Sequence, residues 1–199
     1  RFSVNERTDL YPDDISLAKA YASALTEEIE QVVSEGCDYI QFDEPVWTEN
    51  VAESEWGADV LNYIIKKFPG IKFNLHICGG NAHRKRGFFG RYTEMINAFK
   101  KLNIDEIHLE HCSLHYPMLD IFKEWDFKGS LSAGVVDQRI DETESVEEVE
   151  KFTQPLLKFF NPEKILLTSE CGFGHVPIEI TRAKLKKLVE AAKILRKKY

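Results

Sequence analysis

The stretch Ile71-Lys72-Phe73-Asn74-Leu75-His76-Ile77-Cys78-Gly79-Gly80 starts as a short β-rich run and ends on a histidine, a cysteine and two glycines. Apolar, β-rich runs recur along the chain at 39–42, 71–76, 104–109, 130–136 and 164–168. Their starts lie roughly 30 residues apart, the length of one βα repeat. The segments between them have helical spacing, and helices are expected over 15–33, 51–68, 93–102, 116–125, 146–160 and 178–198. Asp13 supplies an N-terminal cap for the first of these, and Pro69-Gly70 stops the second. Strand and helix alternating with short loops mean parallel βα units. No GxGxxG follows the first strand, which weakens a dinucleotide-binding sheet. A (β/α)8 barrel needs about 250 residues. The expectation is therefore an α/β chain that forms the C-terminal portion of a TIM barrel, with about five parallel strands. Residues 1–199 form a single partial catalytic barrel domain in this reading, with the N-terminal strands lying outside the chain.

Composition narrows the class. A hydrophobic content of 43% is too high for a disordered chain, and 26 basic against 33 acidic residues give a net charge of −7. The acidic balance argues against a nucleic-acid partner. No apolar run approaches the roughly 18 residues of a membrane span, so no membrane is expected. The four cysteines show no CxxC spacing and no dense framework. Free or metal-bound thiols in a reducing, cytoplasmic setting follow from that pattern. The start, Arg1-Phe2-Ser3-Val4-Asn5, lacks a Met and reads like a point inside a longer gene product.

In parallel βα folds, functional groups gather at the C-terminal ends of strands. Here those ends read Asp43-Glu44, His76-Ile77-Cys78, His108-Leu109-Glu110-His111-Cys112, Val136-Asp137 and Glu170-Cys171-Gly172. Residues i and i+2 of a strand point the same way, so His76 and Cys78 offer an imidazole and a thiolate on one face. These are good zinc ligands. Cys171 adds a second sulfur, and Glu110 could add an oxygen. His111, Cys112 and His115 are alternatives to Glu110, which alternation with His108 favours. Asp43, a carboxylate at a strand end, suits an ammonium group.

Taken together, the run Tyr39-Ile40-Gln41-Phe42-Asp43-Glu44-Pro45, the His76/Cys78 pair, Glu110, Gly134-Val135-Val136-Asp137 and Cys171-Gly172 resemble the catalytic barrel of cobalamin-independent methionine synthases. Cys78-Gly79-Gly80-Asn81 and Ser169-Glu170-Cys171-Gly172-Phe173 resemble the short methionine-synthase-like members more than the long two-barrel enzyme. The resemblance implies zinc-dependent methyl transfer from a methylated folate to the thiol of homocysteine, giving methionine. It implies Zn2+ on His76, Cys78, Glu110 and Cys171. It also implies homocysteine held by Asp43, and a folate near Glu49.

Two departures stand out. The loop after Gly80 carries His83, Arg84, Lys85, Arg86 and Arg91, a candidate grip for an anionic donor. After Asp137 the chain has Gln138-Arg139, where the long enzyme has a histidine that moves protons. Arginine is a poor general acid, which leaves His111, His115 and His175 as candidates. The rival readings are a corrinoid-linked thiol methyltransferase with the same zinc site, and a non-catalytic metal-binding fragment or subunit. An unpaired strand edge also favours association through the open side of the barrel.

Overall fold

The computed structural model describes residues 6–85, 87, 91–114 and 117–199. Arg1, Phe2, Ser3, Val4, Asn5, Arg86 and His115, named above, lie outside them, as does the first position of the helix expected over 116–125. Five strands, β1 (Tyr39–Glu44), β2 (Lys72–Ile77), β3 (Glu106–Glu110), β4 (Ser130–Val136) and β5 (Ile165–Ser169), form one sheet in sequential order, and every pair is parallel. Among the described residues five α-helices flank it: α1 (Asp14–Ser34), α2 (Ser54–Ile65), α3 (Ile96–Lys101), α4 (Val146–Thr153) and α5 (Ile178–Lys198). Sequential parallel order is the arrangement of a barrel wall, and it excludes the reversed order of a doubly wound sheet.

Several expected helices are shorter than their patterns. Residues 146–160 divide into α4 and a tighter turn over Gln154–Lys158, because Pro155 has no N–H to continue the α-helical ladder. Residues 93–102 divide into a 3-10 turn, Tyr92–Met95, and α3. The segment expected over 116–125 is a 3-10 stretch, Pro117–Lys123. Both terminal caps are strong. Asp13 accepts from the Ser16 N–H at 2.7 Å, and Ser145 and Glu148 form a capping box on α4.

The two faces of the sheet differ. Phe73, Leu75, Ile77, Ile107, Leu109, Leu131, Ala133 and Val135 are fully buried in a core shared with Ala58, Ile64, Phe99 and Ala191 of the helices. The alternate positions are polar. Asn74 donates to Gln41 at 2.8 Å and to Glu106 at 3.2 Å, and Ser132 donates to Glu106. One strand position further along, Asp43, His76 and His108 sit side by side in register. The inner face of the sheet is thus a stack of hydrogen-bonding layers that rises toward the strand ends. No helix among the described residues is long and apolar enough to cross a membrane.

Candidate metal centre

His76 is placed by the last turns of β2, where alternation turns it away from the helix-facing Leu75 and Ile77. Cys78 follows on the same face. Cys171 comes from the loop that leaves β5. The ligand atoms of His76, Cys78 and Cys171 all lie within 4.8 Å of one another. In a flat sheet β2 and β5 would stand three strand spacings apart, about 14 Å. The curl of the sheet closes that gap, so the cluster is a product of barrel curvature.

The environment fits a cation. His76 is 4% exposed, and neither of its ring nitrogens finds a hydrogen-bond partner among the described residues. A buried polar group left unpaired costs on the order of 1–3 kcal/mol, a cost that metal ligation removes. The Cys78 thiol donates to Cys171, which lowers the Cys171 pKa to about 7 and pushes the Cys78 thiol up. A thiophilic dication would displace that proton and take both sulfurs as thiolates. One nitrogen and two sulfurs are a zinc-type donor set.

The surroundings orient these donors. The ring of His108 lies 4.1 Å from that of His76, centroid to centroid. Burial, with His76 beside it, drives the His108 imidazole down to about 3, so it stays neutral. Its Nε2 then donates to the Ser169 carbonyl at 2.8 Å, a tautomer assigned from that contact. The hydroxyl of buried Tyr92 donates to the Ile77 carbonyl at 3.3 Å and accepts from the Glu110 N–H at 3.2 Å, tying the ends of β2 and β3 together. Thr48 donates to the Cys78 carbonyl at 3.1 Å.

The remaining expected residues take different places. Glu110 is 1% exposed and lies outside the three-residue cluster. Its Oε1 accepts from the Gly79 N–H at 2.8 Å and from the Asn81 amide. Asp43 is exposed on the inner face, in register with His76, and accepts from Gln41 at 2.8 Å. Its charge reaches Cys171, whose thiolate it disfavours. Glu49 is exposed in the turn after β1. Of the alternatives to Glu110, His111 is buried with Nε2 2.8 Å from the Phe152 carbonyl, on the helix side, and Cys112 is buried with its thiol pushed up by burial. The ring of exposed His175 lies 4.8 Å from that of His83, centroid to centroid, at a tilt of 36°.

Two features were missed in the sequence. Glu170 is fully buried and accepts from the His111 and Ser113 backbones and the Ser113 hydroxyl. The loop after β2 also crosses the rim. Arg84 donates to the carbonyls of Gln138 and Arg139 at 3.2 and 3.1 Å and pairs with Asp141. His83 and Arg84 both take left-handed backbone conformations, φ 53° and 62°, which cost a non-glycine residue energy that these bonds offset. No signal in the sequence marks either contact, since each joins segments far apart in the chain.

With this arrangement established, the comparison with known proteins is decisive. Residues 7–194 match the family described as the catalytic domain of the cobalamin-independent synthases. The chain belongs to that family. It is 30% identical over 188 residues to a methionine synthase of Sulfurisphaera tokodaii, covering 94% of this chain and 52% of the relative. A methionine synthase of Saccharolobus solfataricus is 29% identical over 188 residues, with 94% and 53% covered. A B12-independent methionine synthase from Shewanella sp. W3-18-1, solved in complex with selenomethionine, superposes with a TM-score of 0.81 at 30% identity, over 96% of this chain and 57% of that one. A putative vitamin-B12-independent methionine synthase from Listeria monocytogenes shares the fold, with a TM-score of 0.65 at 18% identity over 94% of this chain and 57% of that one. The chain spans about half the length of the curated relatives it matches.

Proposed function

We propose that this chain is the metal-holding half of a zinc-dependent methyltransferase that moves a methyl group from a methylated folate to the thiol of homocysteine. The observation that carries the reading is the cluster of buried His76, buried Cys78 and half-buried Cys171, in which the histidine ring nitrogens find no hydrogen-bond partner outside the cluster among the described residues. Glu110, one strand away, is the fourth ligand in this reading. Zinc on these residues would supply the charge that keeps an acceptor thiol deprotonated near neutral pH. Asp43, exposed beside His76, binds the acceptor's ammonium group and aims its sulfur at the cluster. In the transfer the sulfur–carbon bond forms as the donor nitrogen–carbon bond breaks, and the donor nitrogen takes a proton. Glu49, in the turn at the rim, faces the donor in this reading. Family membership supports the reaction class, and the relatives' names support the product, methionine.

Five strands supply only part of the rim that eight βα loops build in a barrel. The 199-residue chain alone is therefore expected to bind zinc, transfer methyl groups slowly and associate through its open edge.

The test is bound zinc in the parent, Cys78→Ser and Cys171→Ser, alongside methyl transfer to homocysteine by the chain and by a longer form that includes a complementary barrel half. About one zinc per parent chain, lost in both variants, supports the site. Full metal retention in both sinks it. Turnover with methylcobalamin but not with methyltetrahydrofolate would transfer the assignment to the corrinoid-linked class.

A further inference from the structure

Arg139 stands just after Asp137, and its surroundings fix it on every side. Its side chain is 10% exposed. Its Nε donates to Asp137 Oδ1 at 2.8 Å, and its Nη2 pairs with Glu170 Oε2. Its Nη1 donates to Asn81 Oδ1 at 3.3 Å and lies 3.8 Å from Glu110 Oε2. These four partners come from four segments: the loop after β2, the end of β3, the loop after β4 and the residue after β5. Each segment adjoins the metal cluster. Asn81 follows Cys78 closely and also donates to Glu110; Glu170 immediately precedes Cys171.

We propose that Arg139 is a positioning residue for the metal centre, whose guanidinium fork holds Glu110, and through Glu170 the Cys171 strand end, in place around His76 and Cys78. The inference rests on the zinc reading above. Glu110 and Glu170 are two fully buried carboxylates beside one guanidinium, and like charges held that close repel each other. A cation between them relieves this. Only a planar group with several donors reaches Asp137, Glu170 and Asn81 at once, whereas an ammonium is a single point of charge. Arg139 is itself fixed. Its N–H donates to Asp137 at 2.9 Å and its carbonyl accepts from Arg84. The loop behind it is anchored by Lys184, which bonds the Glu142 carbonyl and both oxygens of Glu144.

The experiment titrates Co2+ and Zn2+ into the parent chain, Arg139→Lys, Arg139→Gln, and the double variant Arg139→Gln/Glu170→Gln. Cobalt gives a visible ligand-field spectrum and cysteine charge-transfer bands. The double variant leaves no unpaired charge at position 170, so it tests positioning without a folding penalty there. All three variants are expected to lose roughly tenfold or more in cobalt affinity, with shifted ligand-field bands and retained sulfur bands. A double variant that unfolds at the parental temperature, with parental affinity and spectrum, would overturn the proposal, as would full rescue by lysine. A parent chain that binds no cobalt or zinc overturns the zinc reading and this inference together. A metal-binding parent with unchanged variants overturns this inference alone.

Discussion

Gly134 on β4 lies against the backbone of Glu170: a β-carbon at position 134 would stand 2.6 Å from the Glu170 α-carbon and 2.9 Å from its γ-carbon. The absent side chain lets the segment carrying Glu170 and Cys171 lie close to β4. Just beyond, the β4–β5 register shifts between Gly134 and Val136, and the chain turns into the Arg139 loop.

Gly134→Ala should therefore force backbone apart, since two of the three atoms nearest the new β-carbon are Glu170 backbone. The expected cost is about 1–3 kcal/mol of stability. Zinc affinity should fall with it, because Cys171 shifts as Glu170 is displaced. Denaturant unfolding and a chelator competition would measure the two effects. A variant with unchanged stability would contradict the packing argument.

Lys184→Met removes a fully buried ammonium and leaves Glu144 without its cation. Breaking such a pair costs about 3–5 kcal/mol. Glu144 also accepts the Asp137 N–H at 2.7 Å, so the loop carrying Arg139 should loosen as well. The double variant Lys184→Met/Glu144→Gln should recover much of the loss. Urea midpoints for the two proteins make the comparison, and equal losses would argue against the pair.

Acid stability should depend on His111. Burial lowers its imidazole to about 4 from an ordinary value near 6.5. The unfolded chain binds a proton on this residue as pH falls below 6.5, while the folded chain does so only near 4. Stability present above the higher value is thus lost as pH drops toward the lower one. Between about pH 7.5 and about pH 5 the parent should lose on the order of 2 kcal/mol more than His111→Gln. Buried Glu44 and Glu170, whose carboxyls are raised, oppose this trend in both proteins alike, so the difference isolates the histidine. Parallel pH curves for the two proteins would refute the assignment.

Asp43→Asn should leave zinc content intact and weaken homocysteine use. The carboxylate is exposed and is not one of the three clustered residues, yet it sits in register with His76. Loss of a charge-assisted contact to an ammonium group should cost about 2 kcal/mol of acceptor binding, roughly a 30-fold rise in KM. Zinc loss with unchanged KM would assign Asp43 to the metal instead.

The strands, their parallel order and the identity of the polar face were legible in the chain. Alternation along Asn74-Leu75-His76-Ile77-Cys78 and Glu106-Ile107-His108-Leu109-Glu110 separates an apolar face from an ionisable one by local geometry alone. The shortened helix at Pro155 was legible there too, in that residue's missing N–H. The meeting of Cys78 with Cys171 was not legible as a distance. Their strands are separated by β3 and β4, and only the curl of the whole sheet carries the two sulfurs across the rim to each other. Arg139 shows the same division. Its sequence neighbours reveal a cation that cannot act as an acid. Its partners Asn81, Glu110 and Glu170 lie 29 to 58 residues away along the chain, and only folding buries them around one guanidinium. A period of two is a property of the backbone. A cluster drawn from four strand ends is a property of barrel curvature, and no single segment encodes it.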